Sequence, residues 1–542
     1  MPTLSETARQ TQTLPAKPQS PPSFVRAPAL MFRHYWRSIL TASFPVHAGK
    51  KSASEFFYAL RGIFPSTPKS RECRRPARGL FRTSGCRIFI ERKKGKTAMA
   101  NYLINVVLVC ASVLMVGRSS YGTPLPEEQR NSQNSAAQSV NVIVQWNKVL
   151  LMIVRTPGAQ PATVHPTRSF AIMHAAIYDA VNAIDSTHEP YLVQLVNISP
   201  YASQDAAAAS AAHDVLAALY PKFQAMLDDQ LQQSLASIPD NANRSEGISV
   251  GKTVANKILV LRSNDGSDAT PVPFVFTNPP APGQYQSTPP NFPKQPQFTH
   301  WARVTPFALE SASQFRPGPP PALDSDTYSD AFNEVKSLGI ASSTTATPDQ
   351  SLTGRFWNGA IQNYWNEIGQ TAARAHELTT AQSARMFALL NLSFADGVIA
   401  FYDAKYTYNF WRPVTAIRDA GITGNPETLP DSTWLPEVGN TTPDPSYPGA
   451  HAVISSAAAS VLSAFFGKEH FDFVVTSEVL PEVERSFKSF SGANQEATLS
   501  RIFAGVHFRP DLTAGQKLGR RIADFVFDNF LTPIEERDDN DR

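Results

Sequence analysis

Cysteine is scarce in this sequence, with only 3 among 542 residues. Cys73, Cys86 and Cys110 all lie within the first 122 residues, so the rest of the chain contains no thiol. That excludes a disulfide framework, a cysteine-ligated metal site and a thiol nucleophile from the body of the protein. Any catalysis in the body has to use other groups.

The body also lacks a net positive charge, although the formal net charge of the whole chain is +3. Residues 1–122 contain 20 of the 49 Lys and Arg but only 4 of the 46 Asp and Glu. The remaining 29 basic and 42 acidic residues give a net charge near −13. An acidic body offers no general surface for nucleic acid, so we expect no nucleic-acid partner.

The beginning of the chain lacks an apolar run long enough to cross a bilayer comfortably. The stretch from Leu103 to Val116 has the length of a signal-peptide core, follows the basic run RKKGK and precedes the small residues Ser120 and Gly122. We interpret residues 99–122 as a signal-peptide-like segment that is cleaved near Gly122. The protein is then exported, to the periplasm or outside the cell; a retained membrane anchor is the alternative.

Composition divides the rest of the chain. Residues 1–98 are basic, rich in Pro and Ser and without apolar periodicity, which predicts a disordered extension or a mis-assigned start; a nucleic-acid or membrane arm is the alternative. Residues 123–140 read as a linker and 536–542 as a charged tail. Residues 141–535 form the predicted domain, and its motif-bearing core covers about 370–532.

That domain has the pattern of an all-α helical bundle. From Asn141 onward, apolar residues recur at spacings of three and four, with Ala at many positions between them. His174 and Asp179 lie on the second predicted helix, either as polar support inside the bundle or as chemical groups. Between Pro271 and Pro321 the proline density predicts a long irregular loop strapped over the bundle.

Three stretches of the core carry groups suited to an anion. In KYTYNFWRPVTAIRD, Lys405 and Arg412 are seven residues apart among aromatic residues, where an exposed cation is unusual. Pro413 disfavours helical geometry at Arg412, so we expect the helix to end before it. The two cations then approach one anion from two directions.

The second stretch is DPSYPGAHAVISSAAASVL, a loop that runs into a helix of small residues. Free N–H groups and the positive end of the helix dipole favour an anion there, with His451 beside it as acid or base. The third stretch is SRIFAGVHFRPD. Its Arg501 can hold two oxygens of an oxyanion, His507 can attack or coordinate the central atom, and Asp511 can orient the imidazole.

Together these stretches resemble the motifs K-x6-R-P, P-S-G-H and S-R-x5-H-x3-D of the superfamily that unites type 2 phosphatidic acid phosphatases with vanadium-dependent haloperoxidases. The positions that match the first and third motifs are Lys405, Arg412, Pro413, Ser500, Arg501, His507 and Asp511. The surrounding stretches RSFAIMHAAIYDAVNA, WARVTPFAL, FRPGPPPAL and NEVK are similar to the soluble haloperoxidase-like branch. The resemblance covers most of residues 141–531.

The resemblance implies the helical bundle of the acid phosphatase and vanadium haloperoxidase type, with vanadate as cofactor. Lys405, Arg412 and Arg501 would bind the equatorial oxygens of vanadate. His507 would be the axial ligand of vanadium or, with phosphate, the nucleophile. His451 would move protons while hydrogen peroxide is activated toward a halide or a small organic substrate.

The second motif departs from the family pattern, because this chain has Pro448, Gly449, Ala450 and His451 where the family has P-S-G-H. Gly449 and Ala450 can still contribute main-chain amides to an oxyanion, but one hydroxyl donor is missing. Its loss is worth about 1 kcal/mol, or somewhat more where the acceptor is charged. The departure bears more on turnover than on oxyanion binding.

Three other interpretations stay open. The same donors would suit an acid phosphatase working through a phosphohistidine, or a weakly active oxyanion-binding protein. In a purely structural interpretation, Arg412 and Arg501 would form ion pairs with Asp396, Asp403 or Asp511. For the mature domain we expect no stable membrane insertion, and the sequence leaves its oligomeric state open.

Overall fold

The structure, a computed structural model, describes residues 141–534. The predicted extension at 1–98, the signal-like segment at 99–122, the linker at 123–140 and the tail at 536–542 lie outside these residues. They stay predictions.

The described part of the chain is helical, with one small hairpin. The α-helices are α1 Val142–Arg155, α2 Pro166–Asp185, α3 Gln204–Leu219, α4 Gln224–Ala236, α5 Ala242–Arg262, α6 Asp326–Leu338, α7 Pro348–Phe356, α8 Ile361–Ala375, α9 Thr380–Tyr408, α10 Pro413–Arg418, α11 Ala450–Phe466, α12 Phe490–Phe503 and α13 Arg509–Asn529. Strands β1 His470–Thr476 and β2 Glu484–Ser489 pair antiparallel between α11 and α12. The predicted all-α helical bundle is confirmed, and the hairpin is a detail that the sequence analysis missed.

Helix α9 is the central element of the bundle. It begins with a capping box, in which Thr379 accepts from the amide of Gln382 and the Gln382 side chain accepts from the amide of Thr379. It packs against α2, α11 and α13. By length and composition α9 could cross a membrane, but 94% of its most apolar window is buried inside the protein. It is therefore the core helix that carries Lys405, the first motif residue, in its last turn.

The proline-rich segment is irregular, as expected, apart from a short 3-10 turn at Trp301–Arg303. The buried carboxylate of Asp396, on α9, fastens it to the bundle. Asp396 accepts from the main-chain amides of Phe307, Ala308 and Leu309 at 2.6, 2.7 and 2.8 Å. A buried main-chain donor without a partner is costly, so this carboxylate both satisfies and positions the strap.

Helix α11, which opens with the second motif, and α13, which carries Asp511 of the third motif, touch along their backbones. A Cβ atom at Gly515 would come within 2.6 Å of the carbonyl oxygen of Gly449, and one at Gly519 would collide with the carbonyl of Val453. Glycine at these two positions lets the main chains meet. His451 and Asp511 are thereby held on neighbouring turns of two contacting helices.

Candidate functional site

The first motif lies where α9 stops. The helix ends at Tyr408, and Asn409 adopts the left-handed conformation with φ of 52°. Arg412 is extended and Pro413 opens α10, so the helix stops before the arginine, as the proline predicts. Lys405 and Arg412 are both buried, with 0% and 2% of their surface exposed.

The charged ends of the two cations meet at a carboxylate of the chain itself. Lys405 Nζ lies 2.9 Å and Arg412 Nη2 2.5 Å from Asp444 Oδ1. Arg412 Nε donates to the main-chain oxygen of Asp444 at 2.8 Å, and Gln297 Nε2 donates to Asp444 Oδ2 at 3.0 Å. The sequence analysis expected these charges to converge on room for an oxyanion. In the structure they converge on Asp444.

These ionic contacts set the protonation of the cluster. Burial alone would raise the pKa of Asp444, but Lys405 and Arg412 outweigh it and bring that pKa below its usual range. Burial lowers the pKa of Lys405 to about 8, with Asp444 opposing the shift and Arg412 adding to it. The cluster is therefore an ion triad at neutral pH.

In the third motif, hydrogen bonding fixes the proton on the His507 ring. Arg412 Nη1 lies 3.1 Å from His507 Nε2, and a guanidinium can only donate, so Nε2 accepts. The ring proton is then on Nδ1, which faces Asp511 Oδ2 at 3.1 Å. Burial, then the nearby cations led by Arg412, holds the pKa of His507 well below its usual value, so the ring is neutral.

Two hydrogen bonds hold the Asp511 carboxylate where it accepts from His507 Nδ1–H. Its Oδ2 accepts from the Ser446 hydroxyl at 2.5 Å and from the amide of Phe508 at 3.0 Å. Burial raises the pKa of Asp511 to about 6. Ser446 Oγ also lies 3.3 Å from His507 Nδ1, a contact that the sequence analysis missed although Ser446 is in the quoted second stretch.

Of the three motif cations, Arg501 is the one that pairs with no carboxylate in residues 141–534. It is 4% exposed, and its Nη1 and Nη2 donate to Asn358 Oδ1 at 3.2 and 3.3 Å. Its Nε is buried with no hydrogen-bond partner among the described residues. Burial, reinforced by Arg412, lowers the pKa of Arg501 to about 9. A buried guanidinium in this state is suited to an anion supplied from outside the chain.

The ion pairs that the structural interpretation expected for the two arginines with Asp396 and Asp403 are not formed. Asp396 binds the strap, and Asp403 forms a bidentate pair with Arg316 at 2.5 and 2.7 Å. Neither of them pairs with Arg412 or Arg501 in residues 141–534. The carboxylate that does pair with Arg412 is Asp444, which we had not singled out.

The second motif opens α11, with His451 at the second helical residue. His451 Nε2 lies 2.9 Å from the carbonyl oxygen of Trp357, which can only accept, so Nε2 carries a proton. Burial, then the charge of Arg501, holds the pKa of His451 well below its usual value. The neutral ring therefore keeps an unprotonated Nδ1 that can take up a proton.

The two residues that replace the family Ser-Gly pair behave differently. The amide of Gly449 donates to the main-chain oxygen of Asp511 at 2.9 Å, so it is already used. Ala450 is the first residue of α11, whose first amides have no partner within a helix and receive no side-chain cap. Of the two expected amide donors, Ala450 is the one that fits an oxyanion.

A serine at 449 would require Leu512 to shift. A Cβ there would lie 2.9 Å from Leu512 Cδ2, closer than real Cβ contacts. The φ of Gly449 is −73°, which every residue adopts, so crowding by Leu512 rather than backbone geometry explains the glycine. The departure from the family motif is built into the packing of α11 on α13.

His174 and Asp179, for which two interpretations were open, are structural. His174 Nε2 contacts the side-chain amide of Asn147 at 2.9 Å, and its ring stacks on Phe387. Asp179 accepts from the amides of residues 191–193 at 2.7 to 3.0 Å. Both side chains support the bundle and do not contact the charged cluster.

The charged cluster itself is enclosed. A large cleft of about 1240 Å³ lies nearby, between the segment Phe315–Pro321 and α13, and Tyr447 contributes to its wall. The lining of that cleft includes none of the three cations and neither of the two histidines assigned to the site. The cluster is a packed centre rather than an open pocket.

Residues 385–536 match the family model described as the VCPO second helical-bundle domain. The vanadium chloroperoxidase of Curvularia inaequalis is 24% identical over 510 residues, which cover 73% of this chain and 83% of that protein. This chain is similar to the vanadium haloperoxidases in sequence and fold.

Solved structures of vanadium haloperoxidases show the same fold. A bacterial vanadium-dependent iodoperoxidase matches with a TM-score of 0.61 and 26% identity, over 74% of this chain and 96% of that one. The holo form of a bacterial vanadium-dependent chloroperoxidase matches with a TM-score of 0.53 and 16% identity, over 70% and 96% of the two chains. The second match is a likeness of fold alone.

The donor set fits a tetrahedral oxyanion such as vanadate or phosphate. Arg501 has an unpartnered buried Nε, and the first amides of α11 receive no side-chain cap. The lone pair of His507 Nε2 is already used, because it accepts from Arg412 Nη1. Asp444 opposes this fit, because it already pairs with the other two cations.

Proposed function

We propose that this protein is a vanadium-dependent haloperoxidase-like enzyme, which oxidises halide with hydrogen peroxide at a vanadate held by lysine, arginine and histidine. The observation that carries the proposal is the neutral His507, protonated on Nδ1 by its contact with Asp511, next to the uncompensated guanidinium of Arg501. The family match and the relatives named for vanadium support it.

Each residue of the chain has a defined part in this proposal. Vanadate, when bound, supplies a Lewis-acidic centre that activates hydrogen peroxide toward a halide. His507 would hold vanadium through Nε2 once that atom no longer accepts from Arg412 Nη1, and Asp511 keeps the His507 proton on Nδ1. Arg501, with Arg412 and Lys405, neutralises the oxyanion charge.

His451 is the proposed proton acceptor. Its Nε2–H is held by the carbonyl of Trp357, so the ring accepts a proton from hydrogen peroxide at Nδ1. Protonation there places a positive charge next to Arg501, so the acid form returns its proton readily to the leaving oxygen. His451 is therefore assigned to proton transfer, and His507 to binding the oxyanion.

An acid phosphatase is the second candidate, and the Nδ1–H tautomer of His507 favours it. A neutral imidazole with its lone pair on Nε2 is the form that attacks phosphorus to give a phosphohistidine. The weakly active oxyanion-binding protein is the third candidate, supported by Asp444 on the cations and by Gly449 in place of serine.

One experiment separates these candidates. Purified protein is incubated with orthovanadate and desalted, and bound vanadium is measured by elemental analysis. The same preparation is assayed for peroxide-dependent halogenation with iodide, bromide and chloride, and the vanadium-free protein for hydrolysis of p-nitrophenyl phosphate. Stoichiometric vanadium with halogenation supports the enzyme proposed; hydrolysis alone supports the phosphatase, and binding without turnover supports the third candidate. No vanadium uptake and no halogenation would contradict the proposal.

We also propose that the protein is exported after cleavage near Gly122. A secreted protein whose mature amino terminus lies near Thr123 is the expected result of sequencing. A truncated chain that begins near Thr123 should fold and carry all of the activity, because the motif residues lie in 141–534. An insoluble truncated chain beside a sound full-length protein would contradict this.

A further inference from the structure

Asp444 is the carboxylate that pairs with both cations of the first motif. Its Oδ1 lies within 2.9 Å of both Lys405 Nζ and Arg412 Nη2, and all three side chains are buried, with exposures of 0 to 2%. The proposed function assigns these same two nitrogens to the oxygens of a bound oxyanion. Lys405 Nζ also donates to the main-chain oxygens of Pro445 and Ser446, so its three hydrogens all have acceptors within the chain. The hydrogen that Arg412 Nη2 gives to Asp444 Oδ1 is likewise not free for a second anion.

We propose that Asp444 is an internal counter-anion of the oxyanion site, which a bound oxyanion has to displace from Lys405 and Arg412. The inference rests on the proposed function, because it concerns the same site. It makes Asp444 a residue that determines how tightly, and with what charge, an oxyanion is held. Removing the carboxylate should strengthen oxyanion binding rather than weaken it.

The geometry supports displacement of Asp444 rather than a permanent triad beside the anion. Arg412 also lies within 3.1 Å of His507 Nε2, so an anion at His507 meets the same guanidinium that holds Asp444. Gln297 Nε2 donates to the other carboxylate oxygen at 3.0 Å and gives Asp444 a second partner when its Oδ1 leaves the cations. Arg501, which has no carboxylate partner in residues 141–534, provides the attraction that draws an external anion in.

Charge decides the size of the effect. The site has three cations, Lys405, Arg412 and Arg501, and Asp444 cancels one of them. Two unit charges of the same sign about 5 Å apart repel strongly in a partly buried site, so removing the carboxylate charge should tighten oxyanion binding on the order of 100-fold. A more highly charged oxyanion should gain more than a singly charged one.

The test uses Asp444→Asn, with inorganic phosphate and orthovanadate as the probes. Isothermal titration of full-length protein should show phosphate binding on the order of 100-fold tighter in the variant than in the wild type. The matched control is Asp403→Asn, which removes one carboxylate from the same region but leaves the cations of the site untouched, since Asp403 pairs with Arg316. Phosphate affinity of that control should stay within a few fold of the wild type.

Stability provides a second readout, because Asp444→Asn leaves two buried cations without their counter-ion. The variant should melt below the wild type in phosphate-free buffer, and phosphate should restore more of its melting temperature than it adds to the wild type. If the variant does not fold without phosphate, refolding that depends on phosphate concentration is the expected result. Failure to fold at every phosphate concentration would overturn the proposal, as would equal phosphate affinities in variant and wild type.

A crystal structure of wild-type protein soaked with orthovanadate tests displacement directly. The Asp444 carboxylate should have left Lys405 Nζ and Arg412 Nη2 in the anion-bound state. An oxyanion bound at His507 with both ion pairs intact would sink this inference. This outcome is distinct from that of the proposed function. If Asp444→Asn binds anions more tightly but the wild type does not halogenate, the inference stands and the proposed enzyme activity is wrong. If the wild type halogenates with both ion pairs of Asp444 intact, the activity stands and the inference is wrong.

Discussion

The clearest test of the site separates its two histidines. His507 makes polar contacts with Arg412 Nη1, Asp511 Oδ2 and Ser446 Oγ at 3.1, 3.1 and 3.3 Å. His507→Ala removes all three contacts. The remaining partners of Arg412 and Asp511 stay in place, so the fold should survive with a loss of about 2–4 kcal/mol in the free energy of unfolding.

The effect on vanadate should be far larger than the effect on the fold. Losing a group that merely orients a metal ligand costs about 10- to 100-fold in metal affinity, so losing the direct ligand should cost more than about 100-fold. His507→Ala protein should therefore come through desalting with little or no vanadium. Halogenation should be lost with it.

His451→Ala should behave differently. It leaves Lys405, Arg412, Arg501 and the amides of α11 in place, so vanadium content should stay near that of the wild type. Peroxide-dependent turnover should fall by about 10²- to 10⁴-fold, the usual range for losing a positioned acid–base group. His470→Ala, on the exposed edge of β1, is the matched control and should change neither quantity.

Both readouts are taken on the same preparations, vanadium by elemental analysis and rate by bromination. Equal vanadium loss in the His451 and His507 variants would mean that their roles are not separable. Full vanadium retention in His507→Ala would refute the assignment of the axial ligand.

Three further predictions concern packing and pH. Asp396→Asn should lower the free energy of unfolding by about 2–4 kcal/mol in urea titration, because the Asn side chain cannot accept from all three main-chain amides of the proline-rich segment. The control Asp403→Asn removes a partly exposed ion pair and should lower it by no more than about 1 kcal/mol. Gly449→Ser should lower the free energy of unfolding by about 1–3 kcal/mol through overpacking against Leu512. In a Leu512→Val background the same substitution should cost less, measured as the difference between the double variant and Leu512→Val alone. Burial keeps the pKa of His451 well below 6.5, and the pKa of Asp511, which orients His507, is about 6. Any acid limb of the halogenation pH–rate profile should therefore be centred at about 6 or below, and one centred near 7 would contradict this.

Much of the fold was predictable because its signals are local. Apolar spacing and Ala content identify the helices, and Pro413 explains why α9 stops before Arg412. The residues of the third motif are close in sequence, and His507, just before α13, contacts Asp511 in the first turn of that helix, so this contact is a local one. These features depend on neighbours along the chain.

The parts of the site that the sequence analysis missed depend on distant partners. Asp444 lies between two prolines in an irregular loop, and no periodic pattern indicates that it will meet Lys405 and Arg412. Ser446 is likewise an ordinary loop serine until α13 places Asp511 against it. The available signal for Asp444 was its negative charge in the second quoted stretch, close in sequence to a site that was expected to bind an anion.

The glycine contact between α11 and α13 also limits how the enclosed cluster exchanges with solvent. Because main chain meets main chain at Gly515 and Gly519, these helices have no side-chain layer that could rearrange to let them slide or separate. We therefore expect a path for peroxide, halide or an oxyanion to open through irregular backbone near the cluster, such as the loop that carries Asp444 or the turn at Trp357 and Asn358 after α7. Hydrogen exchange should be slow along the glycine contact and fast in whichever of those two segments admits the ligands.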